Sequence, residues 1–216
     1  MRRMREPICS SVLILLVLAT VAWAAARITS LSPTAGPPGG CLAINGDGFG
    51  ASQGTKIPSF DMARYYNMQV RSWSNTRIEA ILPETLETDI FESRSGTVSV
   101  YDDSSRRTHS NSVHYTAVWP RITNVSPSVA AEGDMLTVRG RNFGDRLCTR
   151  THVAIGGHGV HVDALLLSWS NIGITVRIPK SDRLRPGNTY YVGISAQGDA
   201  RWLSNIDKNF RFEGRR

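Results

Sequence analysis

The 216 residues are 41% hydrophobic, ordinary globular material sufficient for one large or two small packed domains. Ten prolines and nineteen glycines fit many short strands joined by turns, and the formal net charge is +7. Beyond the first 26 residues no apolar stretch approaches the ~20 residues of a spanning helix, which excludes a bundle of membrane helices.

Those first residues stand apart. Arg2, Arg3 and Arg5 make a basic start, Val12 to Ala22 form an apolar run, and Ala22-Trp23-Ala24-Ala25-Ala26 supplies small residues for cleavage. This is the pattern of a secretory signal peptide over 1–26, with a mature start at Ala25 or Arg27. An apolar run of about 15 residues is short for a spanning helix, so an uncleaved anchor is the lesser alternative. Cys9 precedes the run and no cysteine follows the alanines, which argues against a lipoprotein. The expectation is a secreted protein, extracellular or periplasmic, with no stable membrane span after signal cleavage.

Ile28 to Gly50 reads ITSLSPTAGPPGGCLAINGDGFG and returns 94 residues later, from Ile122 to Gly144, as ITNVSPSVAAEGDMLTVRGRNFG. Ile, Thr, Ser-Pro, Gly, Leu, Gly and Phe-Gly recur at identical offsets, so the chain is a tandem repeat. Its domains are expected at 27–118 and 119–216. In each copy a short β-type run ends at Ser-Pro, because proline cannot donate to a ladder. A turn glycine (Gly39 or Gly133) then leads to a strand whose alternating residues, Leu42 and Ile44 or Leu136 and Val138, share one face. Phe49 and Phe143, each bracketed by glycines, read as rings tucked into the open end of a sandwich.

These blocks resemble the signature of the IPT/TIG family, the immunoglobulin-like fold shared by plexins, some growth-factor receptors, Rel-type transcription factors and many bacterial surface proteins. The resemblance implies an all-β chain of two tandem immunoglobulin-like (IPT/TIG) β-sandwiches. It says little about function, since the family's members do unrelated things.

Downstream, Ala51 to Asn67 reads as irregular. Trp73-Ser74-Asn75 opens a turn before an alternating strand with Ile78, Ala80 and Leu82, and Trp169-Ser170-Asn171 repeats it before Ile174, Val176 and Ile178. Thr97–Tyr101, Val113–Thr116, Thr189–Ser195 and Phe210–Phe212 read as further strands. The join, Ala117-Val118-Trp119-Pro120-Arg121, is short and proline-containing, hence a stiff connector, with Trp119 placed between the domains. Cys41 reads as a small core residue. A disulfide from Cys41 to Cys148 stays open, since it requires the two domains to fold against each other.

Charge divides unevenly. Residues 27–118 carry eight Lys/Arg against nine Asp/Glu, a net of −1; residues 119–216 carry fourteen against eight, a net of +6; the leader supplies the remaining +2. The loop with Lys180, Arg183 and Arg185 is basic where its domain 1 counterpart, with Glu84, Glu87, Asp89 and Glu92, is acidic. A basic secreted domain points to an anionic partner, so Lys180, Arg183 and Arg185 are candidate binding residues. Trp202, Tyr65 and Tyr66 join them as loop aromatics without equivalents in the other repeat.

Catalytic spacings are missing: there is no G-x-S-x-G, H-E-x-x-H or P-loop, and the adjacent Asp102-Asp103 reads as a solvated loop tip. Cys148, His152, His158 and His161 cluster in sequence, but C-x3-H-x5-H-x2-H matches no established ligand spacing, so metal binding there is only a weak alternative. The reading is a non-catalytic, cofactor-free secreted binding, adhesion or spacer protein whose partner is a protein or an anionic or carbohydrate surface. A carbohydrate-binding accessory protein is the alternative. No nucleic-acid partner is expected, because a signal peptide points away from the nucleus.

Overall fold

A computed structural model describes residues 25–84, 86, 93–105, 107–144, 151–196 and 202–214. Residues 1–24 of the expected leader, Cys148, and Glu87, Asp89 and Glu92 of the acidic loop lie outside the described residues.

The first repeat contains β1 (Arg27–Ser32), β2 (Ala35–Gly36), β3 (Cys41–Asp47), β4 (Lys56–Asp61), β5 (Tyr65–Asn67), β6 (Gln69–Trp73), β7 (Arg77–Ile81), β8 (Arg94–Asp102), β9 (Arg107–Thr108) and β10 (Val113–Ala117). One sheet has the order β1-β3-β7-β6; the other runs β2-β10-β8-β4-β5, with β9 paired to β8. The second repeat contains β11 (Arg121–Ser126), β12 (Val129–Ala130), β13 (Met135–Arg141), β14 (His152–Gly157), β15 (Val160–Asp163), β16 (Leu165–Ser170), β17 (Gly173–Arg177), β18 (Thr189–Ser195) and β19 (Asn209–Phe212). Its sheets, β11-β13-β17-β16 and β12-β19-β18-β14-β15, reproduce the same order. The fold is all-β, two immunoglobulin-like sandwiches in tandem.

Period-2 alternation decides which side chains enter each core. Leu42 and Ile44 of β3, Ile78 and Ala80 of β7, and Val98 and Val100 of β8 face inward in the first sandwich. Leu136 and Val138, Ile174 and Val176, and Val192 and Ile194 do so in the second. Phe49 and Phe143 are buried at matching positions, as expected. At Ser32-Pro33 and Ser126-Pro127, both cis, the chain leaves the first sheet of its sandwich and passes to a short strand of the second.

Two expectations are corrected. The stretch read as irregular, 51–67, holds strands β4 and β5. Pro58 lies within β4, and its carbonyl accepts from the Met68 N–H at 2.9 Å, just past the end of β5. Its backbone therefore points where a missing N–H costs no ladder bond. Cys41, read as a small core residue, is half-buried and disulfide-bonded.

The sandwiches meet closely. Trp119 is buried against the first core, and its carbonyl accepts from Asn142 Nδ2 of the second domain at 3.3 Å. Pro37, Pro38 and Gly39 face Phe143, Trp169 and Leu203 across a gap of only about 10 Å³. That is no larger than a single water needs. Among the described residues no helix is long and apolar enough to cross a membrane.

Candidate functional site

The outer face of the β14–β15–β18 sheet gathers several candidates that the sequence left scattered. Val153 and Ile155 belong to the core, so His152, Ala154 and Gly156 face outward. On β15, Val160 and Val162 pack on the core and His161 and Asp163 face outward. On β18, Val192 and Ile194 point in, and Tyr191, Gly193 and Ser195 point out.

Trp202 lies over this face. A methyl group at Gly193 would overlap its ring, and one at Gly156 would stand 2.8 Å from it, so the two glycines form the bed on which the indole rests. The Trp202 ring is flanked by Tyr191, with centroids 5.3 Å apart at 75°, and by His161, 4.9 Å away at 46°. His161 in turn meets the His152 ring edge-on at 6.0 Å, and His152 Nε2 lies 2.9 Å from Asp163 Oδ1. Burial lowers the His161 pKa below the ordinary histidine value; His152 and Arg183 push the same way and Asp163 opposes them.

The basic loop reaches the same surface. Arg183 Nη1 donates to the His161 carbonyl at 3.1 Å, which brings this guanidinium to the edge of the aromatic cluster. Lys180 is exposed and lines a shallow hollow together with Asp163. The Arg185 side chain is exposed, while its backbone N–H donates to the buried Tyr190 hydroxyl at 2.8 Å. One candidate separates from the group. His158 sits in the β14–β15 turn at φ 53°, its Nε2 3.2 Å from the Thr189 carbonyl oxygen and its ring against Tyr190. Cys148 lies outside the described residues.

In the first domain Tyr65 and Tyr66 point opposite ways, as neighbours on a strand must. Tyr65 is 65% exposed and lies beside Tyr101, ring centroids 6.3 Å apart. Tyr66 packs against the core opposite Phe60.

A cleft of about 400 Å³ between the domains was not foreseen. Arg71, Arg77 and Glu79 from the first domain line it together with Asn142, Gly144 and Asn171 from the second. Arg77 is held by Asn45 Oδ1 at 3.0 Å and Glu79 Oε1 at 3.2 Å, whereas the Arg71 side chain is exposed. Clefts at domain junctions are common ligand sites, and this volume lies within their usual range. The sequence signal was weak, because the lining comes from two repeats 94 residues apart and only the stiff connector hinted that the repeats abut.

Residues 120–210 match the family model of the IPT/TIG domain. No curated protein matches the sequence. Among solved structures the chain is similar to the extracellular region of plexin A4, with a TM-score of 0.59 and 16% identity over 97% of this chain. It spans only 17% of that plexin chain, and the likeness is one of fold. Looser matches include SGBP-B from a xyloglucan utilization locus of Bacteroides uniformis, with a TM-score of 0.32 and 21% identity over 87% of this chain and 49% of that one. Another is the γ-CGTase of an alkalophilic Bacillus clarkii, with a TM-score of 0.35 and 18% identity over 89% and 28%.

Proposed function

We propose that this chain is a secreted, non-catalytic binding protein in which two IPT/TIG-like sandwiches, at 27–118 and 119–216, act as one rigid unit. Its leader is removed on export, and its ligand is a polar anionic group on a glycan or protein surface. The observation that carries this reading is the cleft between the domains, with an exposed Arg71 at its wall and amide side chains from the opposite domain. A guanidinium recognises carboxylate or sulfate by paired hydrogen bonds, while Asn142 and Asn171 offer polar groups from the far wall. The close-packed join means that a ligand meets a preformed cleft and does not have to order two loose domains.

An array of acidic and neutral glycans probed with the tag-free mature protein tests the reading. Binding to acidic members is expected, with loss in Arg71→Glu at an unchanged melting temperature. Equal binding by Arg71→Glu would remove the cleft from the proposal.

A second reading, a carbohydrate-binding accessory protein, is favoured by the Trp202–Tyr191–His161 cluster, because aromatic rings give sugars an apolar stacking surface. On that reading neutral glycans are retained, and Trp202→Ala abolishes retention while Arg71→Glu does not.

A further inference from the structure

We infer that His152, His161 and Asp163 form a binding site for one divalent transition-metal ion of borderline softness, with Zn²⁺ or Cu²⁺ as the fitting cations. The site is built by strand pairing. Gly156 stands opposite His161 and Ala154 opposite Asp163 in the antiparallel β14–β15 ladder, so both β15 side chains rise on the face that also carries His152. His152 is the diagonal neighbour of Asp163, within reach of a long side chain. Ala154, the residue paired with Asp163, contributes only a methyl group to this face and is fully buried.

One ligand atom from each residue lies within 4.8 Å of the others, and His152 Nε2 and Asp163 Oδ1 are already 2.9 Å apart. A zinc ion holds nitrogen and oxygen ligands at roughly 2.0–2.2 Å, which spaces them about 3–3.5 Å from one another. Small side-chain rotations close that difference, with the metal replacing the direct His152–Asp163 contact. Two imidazoles and one carboxylate suit zinc, copper and their neighbours, whereas magnesium and calcium select all-oxygen sets. Three protein ligands leave a fourth position for water. The His161 ring is steadied by Trp202 at 4.9 Å, and its backbone carbonyl is anchored by Arg183. Such supporting contacts fix ligand orientation. The Arg183 charge opposes a cation, and Asp163 offsets it.

The site does not rest on the cleft proposed above, and its test is separate. Tag-free protein titrated calorimetrically with ZnCl₂ at neutral pH should bind one equivalent and melt at a higher temperature with zinc present. His161→Asn and His152→Asn should each weaken binding by more than about tenfold, and His158→Asn should leave it unchanged. CuSO₄ should quench tryptophan fluorescence in the wild type and much less in Trp202→Phe, a readout that needs no ligand variant to fold. Absence of saturable zinc binding, undiminished binding in the His152→Asn/His161→Asn double variant, or equal loss in His158→Asn would each overturn the site.

Discussion

Asn205 clamps Ile122 by both its backbone N–H and its backbone carbonyl. Asn205 Oδ1 accepts from the Ile122 N–H at 2.6 Å, and Asn205 Nδ2 donates to the Ile122 carbonyl at 2.8 Å. Asn111 repeats the arrangement on Ile28 at 2.7 and 3.1 Å. In each repeat the preceding serine, Ser204 or Ser110, accepts from the backbone of the long strand at 2.9 Å. A Ser-Asn pair thus ties the opening strand of one sheet to the closing loop of the other, across 83 residues.

Removing this clamp leaves a backbone donor and acceptor without partners. Asn205→Ala is expected to lower the stability of the second domain by about 1–3 kcal/mol, read as an earlier denaturant midpoint at constant m-value. A midpoint equal to wild type would show that water replaces the clamp at no cost.

Phe143 and Trp169 lie 6.2 Å apart at 59°, and Phe49 and Trp73 lie 6.2 Å apart at 64°. Each indole Nε1 donates to the carbonyl of the glycine after the phenylalanine, at 3.0 Å in the second domain and 3.1 Å in the first. Phe143→Ala should therefore cost about 3–5 kcal/mol, a large part of a domain's ~5–15 kcal/mol. Gly140→Ala should be comparably damaging, since a methyl there overlaps both the Phe143 ring and the Arg121 carbonyl oxygen. Melting of either variant with the wild type would refute the packing.

The two buried tyrosines behave differently. The Tyr190 hydroxyl accepts from the Arg185 N–H at 2.8 Å and from Asn188 Nδ2 at 3.4 Å. Tyr115, fully buried, has no hydrogen-bond partner for its hydroxyl among the described residues, and burial pushes its pKa above the ordinary tyrosine value. Tyr190→Phe should cost about 1–2 kcal/mol, whereas Tyr115→Phe should be neutral or stabilising. Chemical denaturation of the pair decides it, and equal losses would contradict the difference.

The framework was legible because it is written in periodicities: Leu136 and Val138 alternate, and Phe143 recurs at the offset of its block. The Ser-Asn clamp was equally visible at the same offset of 94 but carried no hydrophobic signal, so a pattern search for apolar faces passed over it. Strand β4 contains a proline, Pro58, whose tolerance depends on where its neighbour strand ends. The candidate surface was half legible. Arg183, His161 and Trp202 were each singled out, but only strand register and the Gly156–Gly193 bed bring them together. Asp163 escaped notice because a lone carboxylate acquires meaning only from the residue diagonal to it.

Acid sensitivity should have one local source in the first domain. Asp102 Oδ1 accepts from Ser104 Oγ at 2.6 Å and Thr55 Oγ1 at 2.8 Å, and these bonds lower its pKa from 3.8 to about 2. A carboxylate whose folded pKa is depressed stabilises the fold above its unfolded pKa, and that contribution is lost as pH falls from about 4 to about 2. Asp102→Asn should flatten the stability profile across that window and leave its shape near neutrality unchanged. A wild-type slope retained in the variant would place the acid sensitivity elsewhere.

The basic loop provides the last test, and the structure sharpens what to expect of it. The Arg185 link to Tyr190 runs through the backbone N–H, so it survives any side-chain change. The Arg183 bond to the His161 carbonyl is exposed and contributes at most about 1 kcal/mol. Replacing Lys180, Arg183 and Arg185 together with Ser should therefore leave the melting temperature nearly unchanged while lowering net charge by three. If these side chains carry attraction to anionic surfaces, retention on an anionic matrix falls, and wild-type retention weakens with salt because exposed charges are screened over about 8 Å at physiological ionic strength. Retention that is unaltered and insensitive to salt would remove the loop from the binding surface. The same variant separates anion binding from metal binding. Loss of Arg183 removes both a charge that opposes the cation and the bond to the His161 carbonyl, so a protein that loses matrix retention yet keeps its zinc has two distinct recognition chemistries on one face of the second domain.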